Sequence, residues 1–212
     1  RSLRRLGHVV RVQSVAQIEE SASRTSDIHL VLRGKAPVRR SSGQRHVLWV
    51  ISHPESISTE ECDEADLVLV ASDRFAASLS TFTRTPVEVL HQATDHRRFR
   101  PLPPSPQHSH AVAVVANTRG EFRTVVADAL TAGLRPAIYG NGWQEYVDSE
   151  LIIAEHVPNK DLPLVYSSVG VLLNDHWDTM RAWGFISNRI FDALACGTPV
   201  VSDFLPELKD TF

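Results

Sequence analysis

The chain has 212 residues, 42% apolar and 22% charged, with Lys and Arg (22) nearly balanced by Asp and Glu (25). This composition suits one large folded domain or two small ones, and it excludes a disordered, collagen-like or coiled-coil protein. A net charge of −3 offers no global field for nucleic acid, no apolar run reaches the ~18 residues of a membrane span, and no secretory leader is visible. Arginine outnumbers lysine 19 to 3, a supply of planar forks suited to phosphate. The two cysteines, Cys62 and Cys196, form no metal spacing and point to a reducing compartment, so the expected location is the cytoplasm.

In chain order, the opening "RSLRRLGHVVRV" reads as a helix end, a Gly7 stop and a strand over Val9–Gln13. Further strands are expected at Ile28–Leu32, Val47–Ser52, Leu67–Ala71 and Val87–Leu90. A second series runs Ala111–Ala116, Arg135–Tyr139, Leu151–Ile153, Val169–Leu173 and Pro199–Ser202. These runs are short, rich in Val, Ile and Leu and lack clean alternation, as expected of parallel strands buried on both faces. Helices are expected at Asp73–Phe82, Glu121–Thr131, Asp161–Ser168 and Asn188–Ala195, and "LPELKDTF" reads as a helix cut short. Alternating strands and helices predict a doubly wound α/β architecture. The four prolines of Arg100–His110 mark an extended hinge. The expected organisation is a Rossmann-like domain over 1–103, a linker over 104–110 and a second Rossmann-like domain over 111–212. The ligand cleft would lie at the carboxyl ends of the sheets. Both chain ends read as those of a fragment, with an opening strand of the first sheet missing.

The segment Trp183–Asp203, "WGFISNRIFDALACGTPVVSD", carries the most chemistry. Ser187 is an N-cap candidate, Gly197 a helix stop, and the helix between them presents its N-terminus to an anion. Asn188 and Asp192 are four apart and share a face, where an acid can accept the hydroxyls of a ribose. The competing reading of Asp192 is an i,i+3 pair with Arg189 on a solvated helix face. His53 ends an apolar strand, a position that in α/β domains faces ligand, and histidine there suits a hydrogen bond to a sugar hydroxyl or a general base, against the plainer reading of a satisfied turn histidine. In "VVANTRGEF", Arg119 and nearby Arg123 sit at a strand–helix junction, where two guanidinium forks suit a pyrophosphate. The long loop "LLNDHWDTMRAWGF" puts forward His176, Trp177 and Arg181. Asp175, His176 and Asp178 are too weak a pattern for a metal, and His108 and His110 sit in a linker without geometry, so no metal is expected. The Gly-x-Gly of "IYGNGW" reads as the turn before Trp143 rather than a dinucleotide motif.

The same segment resembles the C-terminal nucleotide-binding motif of the GT-B glycosyltransferases, "glycosyl transferases group 1" type, in its "GF…DALACGTPVV" run, and most of all their spore-maturation-protein-like subgroup. "VEVLHQATDHRRFRP", "ADLVLVASDRFAASL", "VLWVISHPE" and "EHVPNKDLPLVYSS" resemble further family segments in the same order, over roughly Asp27 to Leu208. The resemblance implies two Rossmann-like domains with parallel sheets. It implies transfer of a sugar from a nucleoside-diphosphate sugar to a hydroxyl of a glycan, lipid or protein, with neither metal nor cofactor. Asp192 matches the second acid of the family's Glu-x7-Glu pair, the ribose ligand, whereas Gly184 stands where the first acid would be. On this resemblance, His53 and Arg119 are the catalytic candidates. Arg119, Arg123, Val157, His176, Arg181, Ser187, Asn188, Arg189 and Asp192 are the donor-binding ones. The rival readings are a sugar-nucleotide epimerase of the same architecture and a non-catalytic nucleotide-sugar-binding module.

Overall fold

A computed structural model describes residues 2–14, 17, 26–38, 40 and 43–212. The chain forms two compact units: residues 1–91 with Asp178–Ile186, and residues 92–177 with Ser187–Phe212.

The first unit opens with a short helix, α1 (Ser2–Arg5), and its sheet consists of β1 (Ile28–Arg33), β2 (Arg45–Val50), β3 (Leu67–Val70) and β4 (Val87–Val89). The strands are parallel and lie in sequence order, with Leu30 opposite Val47 and Val47 opposite Leu67. Two helices connect them, α2 (Thr59–Asp63) and α3 (Asp73–Leu79). Each is capped by a serine hydroxyl, Ser58 accepting from Glu61 N and Ser72 from Phe75 N, which satisfies orphan donors of the first turn. Burial alternates along β1, β2 and β3. Val31, Leu48, Val50, Val68 and Val70 are buried, while Ile28 and Leu32 remain more than half exposed. Among the described residues, burial in this unit is therefore full on one face of the strands and partial on the other, short of the expected burial on both. Val9–Gln13 is not a strand either: it is irregular, Val9 and Val12 are exposed, and no described strand pairs with it. A strand needs a ladder partner for its backbone groups, and apolar composition alone does not supply one. The helix α6 (Asp178–Ala182) and the residues after it also belong here. Met180, Phe185 and Ile186 are buried, with Phe185 and Trp183 packed against Phe75.

The second unit holds β5 (Val112–Val115), β6 (Ala137–Tyr139), β7 (Ile152–Ala154), β8 (Val171–Asn174) and β9 (Val200–Ser202). All are parallel, in the order β7-β6-β5-β8-β9. Its principal helices are α4 (Thr124–Thr131), α5 (Leu162–Ser168), α7 (Asn188–Ala195) and α8 (Glu207–Thr211). Here both faces are covered. Val114, Ile138 and Leu173 pack with Val126, Ala129 and Trp143 on one side, and Ala113, Ala137 and Tyr139 pack with Val165 and Val169 on the other. The proline-rich stretch read as a linker lies within this unit, beyond the division at His91 and Gln92. Phe99 packs on Tyr166 and Leu172, and the amides of Leu102 and Ser105 donate to the hydroxyls of Ser167 and Ser168. Proline has no N–H to satisfy, so two serines on one helix hold this segment down.

Candidate functional site

The strand order of the second sheet reverses at β5, its first strand and central member. In open α/β sheets the carboxyl ends of strands at such a reversal carry the ligand. A hollow of about 260 Å³ lies there, lined by Val115 and Ala116 after β5, Tyr139 and Gly140 after β6, and Val157 beyond β7. Its wall also includes Glu155, Tyr166, Arg189 and Asp192. Gly140 is required at this point: a Cβ would collide with the Ala116 backbone. Gly142, at φ 84, completes the expected turn, and buried Trp143 donates from Nε1 to the Ala116 carbonyl at 2.8 Å.

Helix α7 brings Asp192 to the hollow. Asp192 is 8% exposed and accepts from Asn188 Nδ2 at 2.9 Å and Thr94 Oγ1 at 2.6 Å. Burial pushes its carboxyl above the ordinary aspartate range, against the opposing pull of the Thr94 and Asn188 hydrogen bonds and of Arg98 and Arg189. The reading of Asp192 as a solvated partner of Arg189 is overturned. Arg189 instead bonds Asn174 Oδ1, at 2.5 Å. Ser187 is the N-cap by position, but its hydroxyl makes no capping bond. Its amide donates to His176 Nε2 at 2.9 Å, and His176 Nδ1 lies 2.6 Å from Asp203 Oδ1. A ring nitrogen that accepts from an amide is unprotonated, so the His176 proton sits on Nδ1 and faces the carboxylate. Asp203 falls to about 2: burial works against this, but hydrogen bonds from the His176 ring and amide and the nearby imidazole outweigh it. Buried His176 is thus built into the helix start.

The arginines form a second layer. Arg123 is buried and donates from Nε to Asp175 Oδ1 at 2.8 Å and from Nη1 to the Asn117 carbonyl at 3.0 Å. Its Nη2 also contacts Asp175 Oδ1 and donates to the Asp175 carbonyl. Arg119 donates to the carbonyls of His176 (2.7 Å) and Asp175 (3.0 Å) and lies 4.5 Å over the Trp177 ring. Burial, and next the neighbouring charge of Arg123, push Arg119 below the usual arginine value. Burial likewise lowers Arg189, with Arg123 and Arg119 adding to the effect against Tyr166 and Asp175. Arg119 and Arg123 share the Asp175 carboxylate, whose charge also acts on Arg189.

Of the sequence candidates, Val157, Arg189 and Asp192 line the hollow, with Asn188 bonded to Asp192. Ser187 and His176 form the start of α7, and Arg119 and Arg123 belong to the arginine layer. His53 and Arg181 lie in the first unit. Arg181 is half-exposed and paired with Asp178, and His53 pairs with Glu55. Sequence reasoning missed Thr94, Asn174 and Asp203. The only trace of Asp203 was its place at the end of the "PVVSD" strand. Among the described residues no three His, Cys, Asp or Glu side chains are grouped to hold a metal, and no helix is long and apolar enough to cross a membrane.

Residues 119–212 match the model of a family described as glycosyl transferase-like. No curated protein is significantly similar to the chain. Among solved structures, sucrose-phosphate synthase from Thermosynechococcus elongatus is similar at 16% identity and TM-score 0.50, over 79% of this chain and 52% of that one. HepE from Anabaena, solved in complex with UDP and glucose, is similar at 16% identity and TM-score 0.53, over 80% of this chain and 55% of that one. The chain spans about half the length of these structures. Its fold, α/β with two parallel sheets, matches theirs and is that of the GT-B glycosyltransferases. The subgroup suggested by the sequence is not among these matches.

Proposed function

We propose that the protein takes part in glycosyl transfer from a nucleoside-diphosphate sugar to a hydroxyl acceptor. The observation that carries this reading is buried Asp192 in a hollow whose wall also includes Arg189, behind the N-terminus of α7. Asp192 would accept the two ribose hydroxyls, being the buried carboxylate of a hollow whose wall also carries Glu155. The base would lie along Val157 and the loop after β7. The diphosphate would meet Arg189, the start of α7 and the charge of Arg119 and Arg123. Charge builds on the departing diphosphate as the glycosidic bond breaks, and fixed cations and helix amides stabilise it without metal or cofactor. The complex of HepE with UDP and glucose supports this class of donor. Arg123, consumed by Asp175 and Asn117, would act by holding the loop and by its charge. The acceptor side is assigned to the first unit, where His53 follows β2.

Calorimetric titration with UDP, GDP, ADP and TDP tests donor binding, and product formation from their sugars tests transfer. Micromolar binding of one base with transfer is the expected result. Binding without transfer or hydrolysis would favour the non-catalytic module, and interconversion of the free sugar nucleotide would favour the epimerase.

A further inference from the structure

The hollow at the carboxyl ends of the second sheet carries a carboxylate besides Asp192, that of Glu155. We propose that Glu155 reads the base and makes the preferred donor a guanosine-diphosphate sugar, a proposal that rests on the nucleoside-diphosphate reading of the hollow and adds the identity of the base.

The two carboxylates come from opposite sides of the sheet. Asp192 is carried by α7, whose Ala193 and Cys196 pack with Leu172 of β8 and Val200 of β9. Glu155 follows β7, the edge strand at the other end of the order β7-β6-β5-β8-β9. A nucleotide whose ribose meets Asp192 and whose diphosphate meets Arg189, on the same helix, has the β7 side of the hollow left for its base. Glu155 is exposed but held there. Its Oε1 accepts from Gln144 Nε2 at 2.5 Å. Gln144 lies in the turn after β6 beside Trp143, which is buried and bonded through its indole N–H to the Ala116 carbonyl. One hydrogen bond takes up one of the about four lone-pair directions of a carboxylate, so both oxygens can still accept from a ligand.

Nucleobases differ in what they offer to such a group, which accepts and cannot donate. Guanine presents two adjacent donors, N1–H and the N2 amino group, which match the two carboxylate oxygens. Uracil and thymine present one, N3–H, between two carbonyl oxygens, so the second carboxylate oxygen meets another acceptor. Adenine and cytosine place a bare ring nitrogen beside the amino group, with the same result. Asn117 supplies the complementary donor. It lines the hollow, and its Oδ1 accepts the Asn141 amide at 2.8 Å, which leaves Nδ2 to donate to a base carbonyl. Guanine carries that oxygen at C6, next to N1, and adenine has none.

The test is calorimetric titration of the whole chain with GDP, IDP, UDP and ADP at one ionic strength. A hydrogen bond to a charged group changes affinity about tenfold or more, so GDP should bind at least ~10-fold tighter than UDP. IDP keeps N1–H and lacks the N2 amino group, so it should fall between them, a comparison that needs no variant. Glu155→Gln keeps the length and turns one acceptor into a donor. It should weaken GDP at least ~10-fold and bring GDP and IDP together. UDP should stay the same or tighten, because an amide can accept from N3–H and donate to the carbonyl beside it. UDP or ADP binding as tightly as GDP would overturn the proposal and leave the donor site standing. A GDP preference unchanged by Glu155→Gln would do the same. Binding of none of the four would overturn the nucleoside-diphosphate reading itself, and the proposal with it.

Discussion

Asp192 combines the two properties a ribose ligand needs: burial, and hydrogen bonds that fix its oxygens without neutralising them. Asn188 and Thr94 each occupy one oxygen, which leaves lone pairs for a diol. Asp192→Asn keeps the shape and removes the charge. A hydrogen bond to a charged group contributes about 1.5–3 kcal/mol, so UDP affinity measured by calorimetry should fall tenfold or more. Unchanged affinity would remove Asp192 from the donor site. Asp175 has a different task. Its carboxylate is the acid held by buried Arg123 and by Arg119, and Asp175→Ala would leave both cations without it. Losing one partner of a buried pair costs about 3–5 kcal/mol. The urea midpoint of the second unit should drop accordingly, whether or not nucleotide is present.

At the scale of elements, β1 and β2 carry a pH-sensitive contact. His29 and His46 are register partners, their Nδ1 atoms 3.3 Å apart, and His46 is buried. Burial lowers both below the ordinary value of 6.5. For His46 the charges of His29 and Arg40 lower it further, while Asp66 and Glu64 act in the other direction. A histidine with a depressed folded pKa takes up its proton more readily in the unfolded chain. Its contribution is therefore complete above the unfolded value and is lost as pH falls from about 6.5 through the folded one. Urea titrations of the first unit between about pH 7.5 and about pH 5.5 should show this decline, and His29→Gln should flatten it. Helix α7 shows how another element is pinned. Asp203 holds His176, and His176 accepts the Ser187 amide, so the helix start is positioned by a strand end and a loop rather than by its own cap.

At the scale of the molecule, the first unit is discontinuous in sequence. Asp178–Ile186 supplies Met180, Phe185 and Ile186 to its core, and the Ser72 hydroxyl and Arg74 donate to the carbonyls of Trp183 and Ala182. A piece comprising residues 1–91 therefore lacks part of its own core. It should melt below the intact chain's first transition or fail to melt cooperatively, as followed by circular dichroism. In the intact chain Phe185→Ala should destabilise the same unit by about 3–5 kcal/mol, the usual cost of emptying a buried phenylalanine site. Equal melting of the piece and the whole would show that this segment contributes nothing to the first unit.

Local chemistry made much of this legible in the chain itself. Helix α7 runs from Asn188 to Ala195 as expected, because Ser187 and Gly197 bound it and Gly197 adopts the left-handed conformation only glycine takes freely. Nine of the strands follow from short Val, Ile and Leu runs between turn residues, and the Asn188–Asp192 pair from helical spacing alone. Val9–Gln13 has the same composition and no ladder, since pairing depends on a neighbour that composition does not name. The roles of single side chains were decided by distant partners. Thr94 lies 98 residues from Asp192, Asp175 lies 52 from Arg123, and Asp203 lies 27 from His176. The Thr179 side chain hydrogen-bonds Glu55 from across more than half the chain. Sequence spacing determines which residues share a turn or a face, because backbone geometry repeats over a few residues. Which of them are buried, paired or left to meet a ligand was settled only when the tertiary fold brought these remote segments together.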